Sequence, residues 1–351
     1  MKDVFFSFVI PVYNAHLYIE QCIRSLLNQD ISLEEYEIIC VDDGSNDDSV
    51  EIINKLRKEF TNLVVYCQKN SGVSSARNQG LNLAKGKYVW FVDADDFIAP
   101  NILKQLKEIV QSSKADRITV ESYSFVKKLS FNEQEKMTEK KLLPNVPYKK
   151  VMVTRTLYKR EYLISKSILF LTGVHYGEDG LFNYQTLIYN PLTIESGILA
   201  YFYRMHNESA TGSKDKTLKS RKSLSGSKLV MNVLVDDYNK KICVYETRRM
   251  LLYWMYGILE NYSFLGKNFF LDNFNWEYHL QNIPITDLEL LKLNRVMTGL
   301  SKTHDYQKLM SVIKRQNRKQ EFRKKTEKQK KAVLGYIKHP RRLINKVLKI
   351  N

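Results

Sequence analysis

Cysteine is scarce in this chain: Cys22, Cys40, Cys67 and Cys243 are the only four among 351 residues. None are in Cys-x-x-Cys spacing and no histidines cluster beside them, which argues against a disulfide framework or a thiolate zinc site. Cys40 and Cys67 fall inside apolar, strand-like runs, where a buried thiol suited to a reducing compartment is expected. Also missing is any run of about 18 apolar residues, so no membrane-spanning helix is expected. Val4–Tyr13 is apolar, but Asp3 precedes it and Pro11 interrupts it, so it is read as a first strand and not a secretory signal. No internal repeat is visible.

Charge is abundant and unevenly placed. The net charge is +17. From Lys314 to Asn351 there are 15 Lys and Arg against Glu321 and Glu327, leaving 40 basic and 36 acidic groups before it. The body is near neutral and the tail is polybasic. A nucleic-acid-binding protein usually spreads its basic residues over the binding domain, so no nucleic-acid partner is expected. Past Pro340, Leu343, Ile344, Val347, Leu348 and Ile350 share a helical face flanked by Arg and Lys. That pattern suits a helix lying on an anionic membrane surface, although a solvated basic tail has the same composition.

The first 112 residues alternate two signals. Strand-like runs at Phe6–Val12, Tyr36–Val41, Leu63–Cys67 and Tyr88–Val92 are separated by helical patterns at His16–Asn28, Asp47–Phe60, Val73–Ala84 and Asn101–Ser112. This predicts an α/β fold with a mostly parallel sheet flanked by helices. A further strand is expected at Arg117–Tyr123, a helix at Glu178–Tyr189 and a strand at Ile198–Tyr203. Residues 124–150 read as a polar connection, and Gly212–Gly226 as a mobile Ser/Lys/Gly stretch. Ser227–Leu265 and Asp287–Arg318 look helical. Met250–Tyr256, apolar and aromatic at helical spacing, fits core packing better than a lipid-touching face. The division expected is 1–112, 113–211, a helical region 212–313 and the tail 314–351.

Each strand of the first third ends on residues that can carry chemistry. Three carboxylates, Asp93, Asp95 and Asp96, follow the strand ending at Val92. Crowded there, they repel one another unless a cation shares them, and oxygen donors suit Mg²⁺ or Mn²⁺ carried in with phosphates. In an open α/β sheet that edge is also where ligands bind. Pro11-Val12-Tyr13-Asn14 ends the first strand, and the Tyr13 ring is placed to lie against a nucleobase. Asp42-Asp43-Gly44-Ser45 ends the second. Helix capping would occupy one of these acids, and the other is left for a base or ribose. Gly72 to Asn78 leads from the third strand into a helix whose free N–H groups suit an anion. Arg77 there can reach a diphosphate or an acidic cluster. The loop lacks the Gly-Lys-Ser/Thr ending of a Walker motif.

In order and spacing, the segments PVYN, VDDGSND, NSGVSSARN and VDADD resemble those of glycosyltransferase family 2, inverting nucleotide-sugar-dependent enzymes with a GT-A fold. The resemblance is strong over residues 5–112. It continues through Gly177–Phe182, with its Glu-Asp pair, and through Tyr203–His206 with Ser209. It implies that Pro11, Val12, Tyr13, Asp42, Asp43, Gly72 and Arg77 surround the nucleotide. Asp93, Ala94 and Arg204 would attend the ribose and diphosphate, and Asp95 and His206 a Mn²⁺ or Mg²⁺ ion. Asp179 is the implied general base, although Glu178 and Asp179 also complement the dipole of their helix.

The Gln-x-x-Arg-Trp element of processive synthases is absent, which points to transfer of a single sugar. A UDP-sugar donor and a saccharide or lipid-linked saccharide acceptor are expected, in building a bacterial surface polysaccharide. The expected location is cytoplasmic, on the inner face of the membrane. A metal-dependent nucleotidyltransferase is the rival enzyme class. It needs a different glycine-rich signature where this chain has PVYN.

Overall fold

A computed structural model describes residues 4–125, 152–206, 215–277 and 287–319. The chain divides into two compact units, residues 1–251 with 280–282, and residues 252–279 with 283–351. The division falls within the region expected to be helical.

In the first unit, β1 (Phe6–Val12), α1 (Ile19–Leu27), β2 (Tyr36–Asp42), α2 (Ser49–Arg57), β3 (Leu63–Cys67), α3 (Val73–Leu83) and β4 (Tyr88–Phe91) follow the expected alternation closely. Then come β5 (Phe97–Ile98), α4 (Leu103–Ser113), β6 (Arg117–Phe125), β7 (Thr156–Lys159), α5 (Arg160–Ser165), α6 (Glu178–Leu187), β8 (Thr193–Arg204) and α7 (Lys216–Asn239). The strands form one sheet in the order β3-β2-β1-β4-β7-β6-β8-β5. β3, β2, β1 and β4 run parallel. β7 is antiparallel to both its neighbours, and β5 is antiparallel to β8.

Strands β1, β2 and β4 are buried on both faces, so they read as unbroken apolar runs. Their alternate side chains build two cores. Phe6, Phe8, Ile10, Ile38, Cys40 and Trp90 pack with α1, α2 and α4 on one face. Val9, Ile39, Val41, Val89 and Phe91 pack with α3, α5 and α6 on the other. Gly80 lets α3 press onto β1, because a Cβ there would lie 2.2 Å from Val9 Cγ1. Pro11 lies inside β1, whose bounds are those expected, and pairs with Val41. The pairing of β1 with β4 stops at Val9, so the missing N–H removes no bond on that side.

Gly212–Gly226 is not a mobile stretch where it is described, since α7 begins at Lys216. Gly226 lies against Val174, where a Cβ would approach the Val174 Cα to 3.0 Å. Tertiary packing thus overrides a composition of poor helix formers. The helix expected over Ser227–Leu265 is broken at 240–243, after which α8 (Val244–Leu265) begins.

The second unit takes in the rest of α8, α9 (Lys267–Asn273), α10 (Leu288–Thr303) and a helix at 306–319. Within 250–256, Met250, Leu251, Trp254 and Met255 are buried as core while Tyr253 is exposed. No described helix is long and apolar enough to cross a membrane. The amphipathic part of the tail and most of the 124–150 connection lie outside the described residues.

Candidate functional site

The carboxyl ends of β1, β2, β3 and β4 open on one edge of the sheet, and the end of β8 and the start of α6 join them there. At the first two strands, the paired acids hold the backbone. Asp42 accepts from the N–H groups of Gly44 and Ser45. Asp43 accepts from Ser71 N and Gln68 Nε2 through Oδ1, and from Gly72 N through Oδ2, each at 2.8 Å. Neither acid caps α2, whose N-cap is Asp48. Asp43 instead ties β2 to the loop entering α3. Gly72 adopts φ +89° with open space around it, so the backbone angle, not crowding, calls for glycine. Tyr13 stands half-exposed beside this wall. Asp47 is held at about pKa 2: hydrogen bonds from Ser49 and His16 outweigh its partial burial.

The three acids after β4 have three different environments. Asp96 is fully buried and accepts from Tyr201 Oη at 2.5 Å and Arg204 N at 2.7 Å. Burial, then Asp95 and Asp93, push its carboxyl well above the usual range. It anchors β8. Asp95 Oδ2 lies 2.8 Å from His206 Nε2. Its carboxyl is raised by burial and by Asp93, with His206 opposing. Asp93 Oδ1 accepts from Arg77 Nη2 at 2.8 Å.

Arg77 also reaches the third group of acids. Its Nη1 donates to Asp179 Oδ1 at 2.8 Å and to Glu178 Oε1 at 3.2 Å. Both acids occupy the first turn of α6, entered through Gly177 at φ +85°. Asn78, one residue after Arg77, clamps Phe170 through two 2.8 Å bonds to its backbone. The Phe170 ring stacks on Phe182 of α6 at 3.9 Å. Burial and then Glu178 and Asp93 raise Asp179 to about 8, against the pull of Arg77.

The structure therefore brings Arg77, Asp93 and Asp179 together, and separately Asp95 and His206. Arg204 is turned inward: its side chain is buried, with Nε on the Asp95 carbonyl and Nη2 on Gln21 Oε1 at 2.5 Å. Three supporting residues escaped the sequence. Tyr18 lies under Arg204 at 5.0 Å and beside the His206 ring at 4.8 Å, Gln21 holds Arg204, and Tyr201 holds Asp96. All three sit in ordinary apolar helix or strand patterns, which carry no sign of what their polar ends touch.

No group of three or more His, Cys, Asp or Glu arranged for a metal occurs among the described residues. A carboxylate oxygen and an imidazole nitrogen nevertheless converge at Asp95 and His206. Such a pair fits a divalent ion whose other ligands arrive with a diphosphate.

A family profile described as Glycosyl transferase family 2 matches residues 7–170, spanning these motifs from β1 to the segment before α6. Residues 7–170 thus form a glycosyl transferase family 2 domain. It is 33% identical over 204 residues to the poly(ribitol-phosphate) beta-glucosyltransferase of Bacillus spizizenii, covering 56% of this chain and 32% of that protein. It is 31% identical over 248 residues to the minor teichoic acid biosynthesis protein GgaA of Bacillus subtilis, covering 67% of this chain and 55% of that protein. The chain thus spans about a third to a half of the length of such curated relatives. The solved structure of S. aureus TarS 1-349 in complex with UDP-GlcNAc superimposes with a TM-score of 0.56 at 18% identity, covering 90% of this chain and 92% of that one. The fold is GT-A.

Proposed function

We propose that this chain transfers one sugar from a nucleoside diphosphate, UDP in the first instance, to a hydroxyl of a saccharide or lipid-linked saccharide, with inversion at the anomeric carbon. The observation that carries this reading is the convergence of Asp93, Arg77 and Asp179 at the carboxyl edge of the sheet. A donor-side carboxylate and a candidate base stand there on one guanidinium. The names of the relatives, a poly(ribitol-phosphate) beta-glucosyltransferase and a minor teichoic acid biosynthesis protein, support a role in building a cell-surface polymer.

In this mechanism Tyr13 lays its ring along the base, while Asp43 keeps the β2 edge and the Gly72 loop in one wall around the nucleotide. Asp93 accepts from donor hydroxyls. Asp95 and His206 would hold a Mn²⁺ or Mg²⁺ ion, which when bound neutralises charge developing on the diphosphate. Asp179 takes the proton of the acceptor hydroxyl as that oxygen bonds to the anomeric carbon and the bond to the diphosphate breaks. Its raised proton affinity suits a base working near neutral pH. Docking on the inner membrane face through the basic tail belongs to the same reading, since lipid-linked acceptors would be met there.

A donor screen that follows nucleoside diphosphate release, with and without Mn²⁺, tests the proposal. UDP release from a UDP-sugar, dependent on an added saccharide, is expected. Release of pyrophosphate from a nucleoside triphosphate and sugar phosphate would replace this reading with nucleotidyl transfer.

A further inference from the structure

Arg77 is a buried cation with three anionic partners on two different segments. Its side chain is 4% exposed, so it is not presented to a diphosphate in solution. Nη2 is committed to Asp93 of the turn after β4, and Nη1 to Glu178 and Asp179 of α6. Burial alone lowers the proton affinity of the guanidinium, but Asp179, Asp93 and Glu178 outweigh it and keep the group charged. The fork is also fixed in direction. Phe170 lies 5.2 Å from it, held by Asn78 on one side and Phe182 on the other. Gly80, three residues on, seats α3 directly on β1.

We infer that Arg77 is the positioning residue of the transfer reaction: one guanidinium fixes the base Asp179 at a set distance from the donor-side Asp93 and keeps it ready to accept a proton. The inference rests on the glycosyl-transfer reading of the site. In a direct displacement, the attacking oxygen, the anomeric carbon and the leaving oxygen must lie in line. An error of about 1 Å in such registration costs on the order of 10²-fold in rate. A planar fork with several N–H donors imposes that registration, whereas a Lys ammonium carries the charge without the geometry.

The second effect is electrostatic. Around Asp179 stand Glu178 on its own helix, Asp93 from the β4 turn and the phenol of Tyr158 from β7. Arg117 of β6 reaches Asn183, whose amide donates to the Asp179 carbonyl. Arg77 is the cation that meets the Asp179 carboxylate directly. Without it, burial and the two neighbouring carboxylates act unopposed and ionisation of Asp179 moves to higher pH.

The test uses the full chain with Arg77→Gln and Arg77→Lys, measuring thermal melting, UDP affinity by calorimetry, and kcat and KM across pH. Arg77→Gln is expected to keep UDP affinity within about threefold and to lose about 10²-fold in kcat at neutral pH. Its acid limb of kcat should move to higher pH. Arg77→Lys should return the limb towards wild type without restoring the full rate. Asp179→Asn combined with Arg77→Gln should be no slower than Asp179→Asn alone, because the two act as one unit.

An unmoved acid limb in a folded Arg77→Gln protein overturns the inference. So does a fall in UDP affinity that accounts for the lost turnover, since Arg77 would then be a donor contact. If Arg77→Gln does not fold, wild-type kcat and acid limb in Arg77→Lys overturn it instead. A wild-type enzyme that releases no nucleoside diphosphate from any nucleotide sugar brings down the functional reading itself, a result separable from all of these.

Discussion

His206 Nε2 and Asp95 Oδ2 meet at 2.8 Å although 111 residues separate them in the sequence. The meeting is arranged by β8. Asp96 holds the Arg204 N–H, Arg204 spans from the Asp95 carbonyl to Gln21, and the chain then delivers His206 beside the Tyr18 ring. Two neighbouring acids thus do different work, one anchoring the strand and the next facing the arriving histidine.

If this pair holds a divalent ion, His206→Ala should weaken Mn²⁺-dependent UDP binding by about 10- to 100-fold, the range seen when groups supporting a metal are removed. Asp95→Asn should abolish the Mn²⁺ dependence. Calorimetric titration of UDP at several Mn²⁺ concentrations reads both effects. Unchanged Mn²⁺ dependence in the two variants would exclude them as ligands.

The first four strands are legible because β1, β2 and β4 are apolar runs buried on both faces and all four end on polar residues at the ligand edge. β5 and β7 are not. They are two and four residues long, and they owe their strand geometry to long-range pairing, Phe97 with Phe202 and Leu157 with Trp90. The candidate acids were visible as a group, but their division of labour was not. Which acid faces inward depends on Tyr201 and Arg204, more than 100 residues away. The start of α7 is hidden in the sequence for a similar reason, since its glycine and serines are accommodated by packing that no local pattern records.

Asp179→Asn separates binding from chemistry. UDP affinity should stay close to wild type, while kcat falls by about 10²- to 10⁴-fold. In the unaltered enzyme the base must be ionised, so kcat/KM should rise with pH as Asp179 loses its proton near 8 and level off above that. A flat profile from pH 6 to 9 would remove Asp179 from the proton transfer.

The fit of α3 and of the turn into β4 gives a prediction about stability. A Cβ on Gly86 would stand 2.6 Å from both the backbone nitrogen and the hydroxyl of Ser7. That hydroxyl accepts from Gly86 N and donates to the buried Glu37. Gly86→Ala should therefore destabilise the fold by about 1–3 kcal/mol, in the range of overpacked cores. At Gly257, where nothing lies near an added Cβ, the same change should not destabilise, since alanine favours a helix. Urea unfolding of the two variants makes the comparison.

Asp96 offers the sharpest separation of structure from catalysis. It sits one residue beyond Asp95 yet is fully buried, with its oxygens taken by Tyr201 Oη and Arg204 N. Asp96→Ala takes the shared carboxylate acceptor away from both donors in the interior, where losing a buried hydrogen-bond partner costs about 1–3 kcal/mol. Tyr201→Phe removes one donor and leaves the Arg204 bond to Asp96, so its cost should be nearer 1 kcal/mol. Because Arg204 leads directly to His206, Asp96→Ala should also demand more Mn²⁺ for half-maximal turnover, although Asp96 would not touch the ion. Asp95→Asn should show the opposite balance, with metal dependence lost and unfolding little changed. Urea denaturation and Mn²⁺ titration of the same three proteins decide the matter. If Asp96→Ala is as stable as wild type, Asp96 is not the anchor of β8 and the path from Arg204 to His206 must be held some other way.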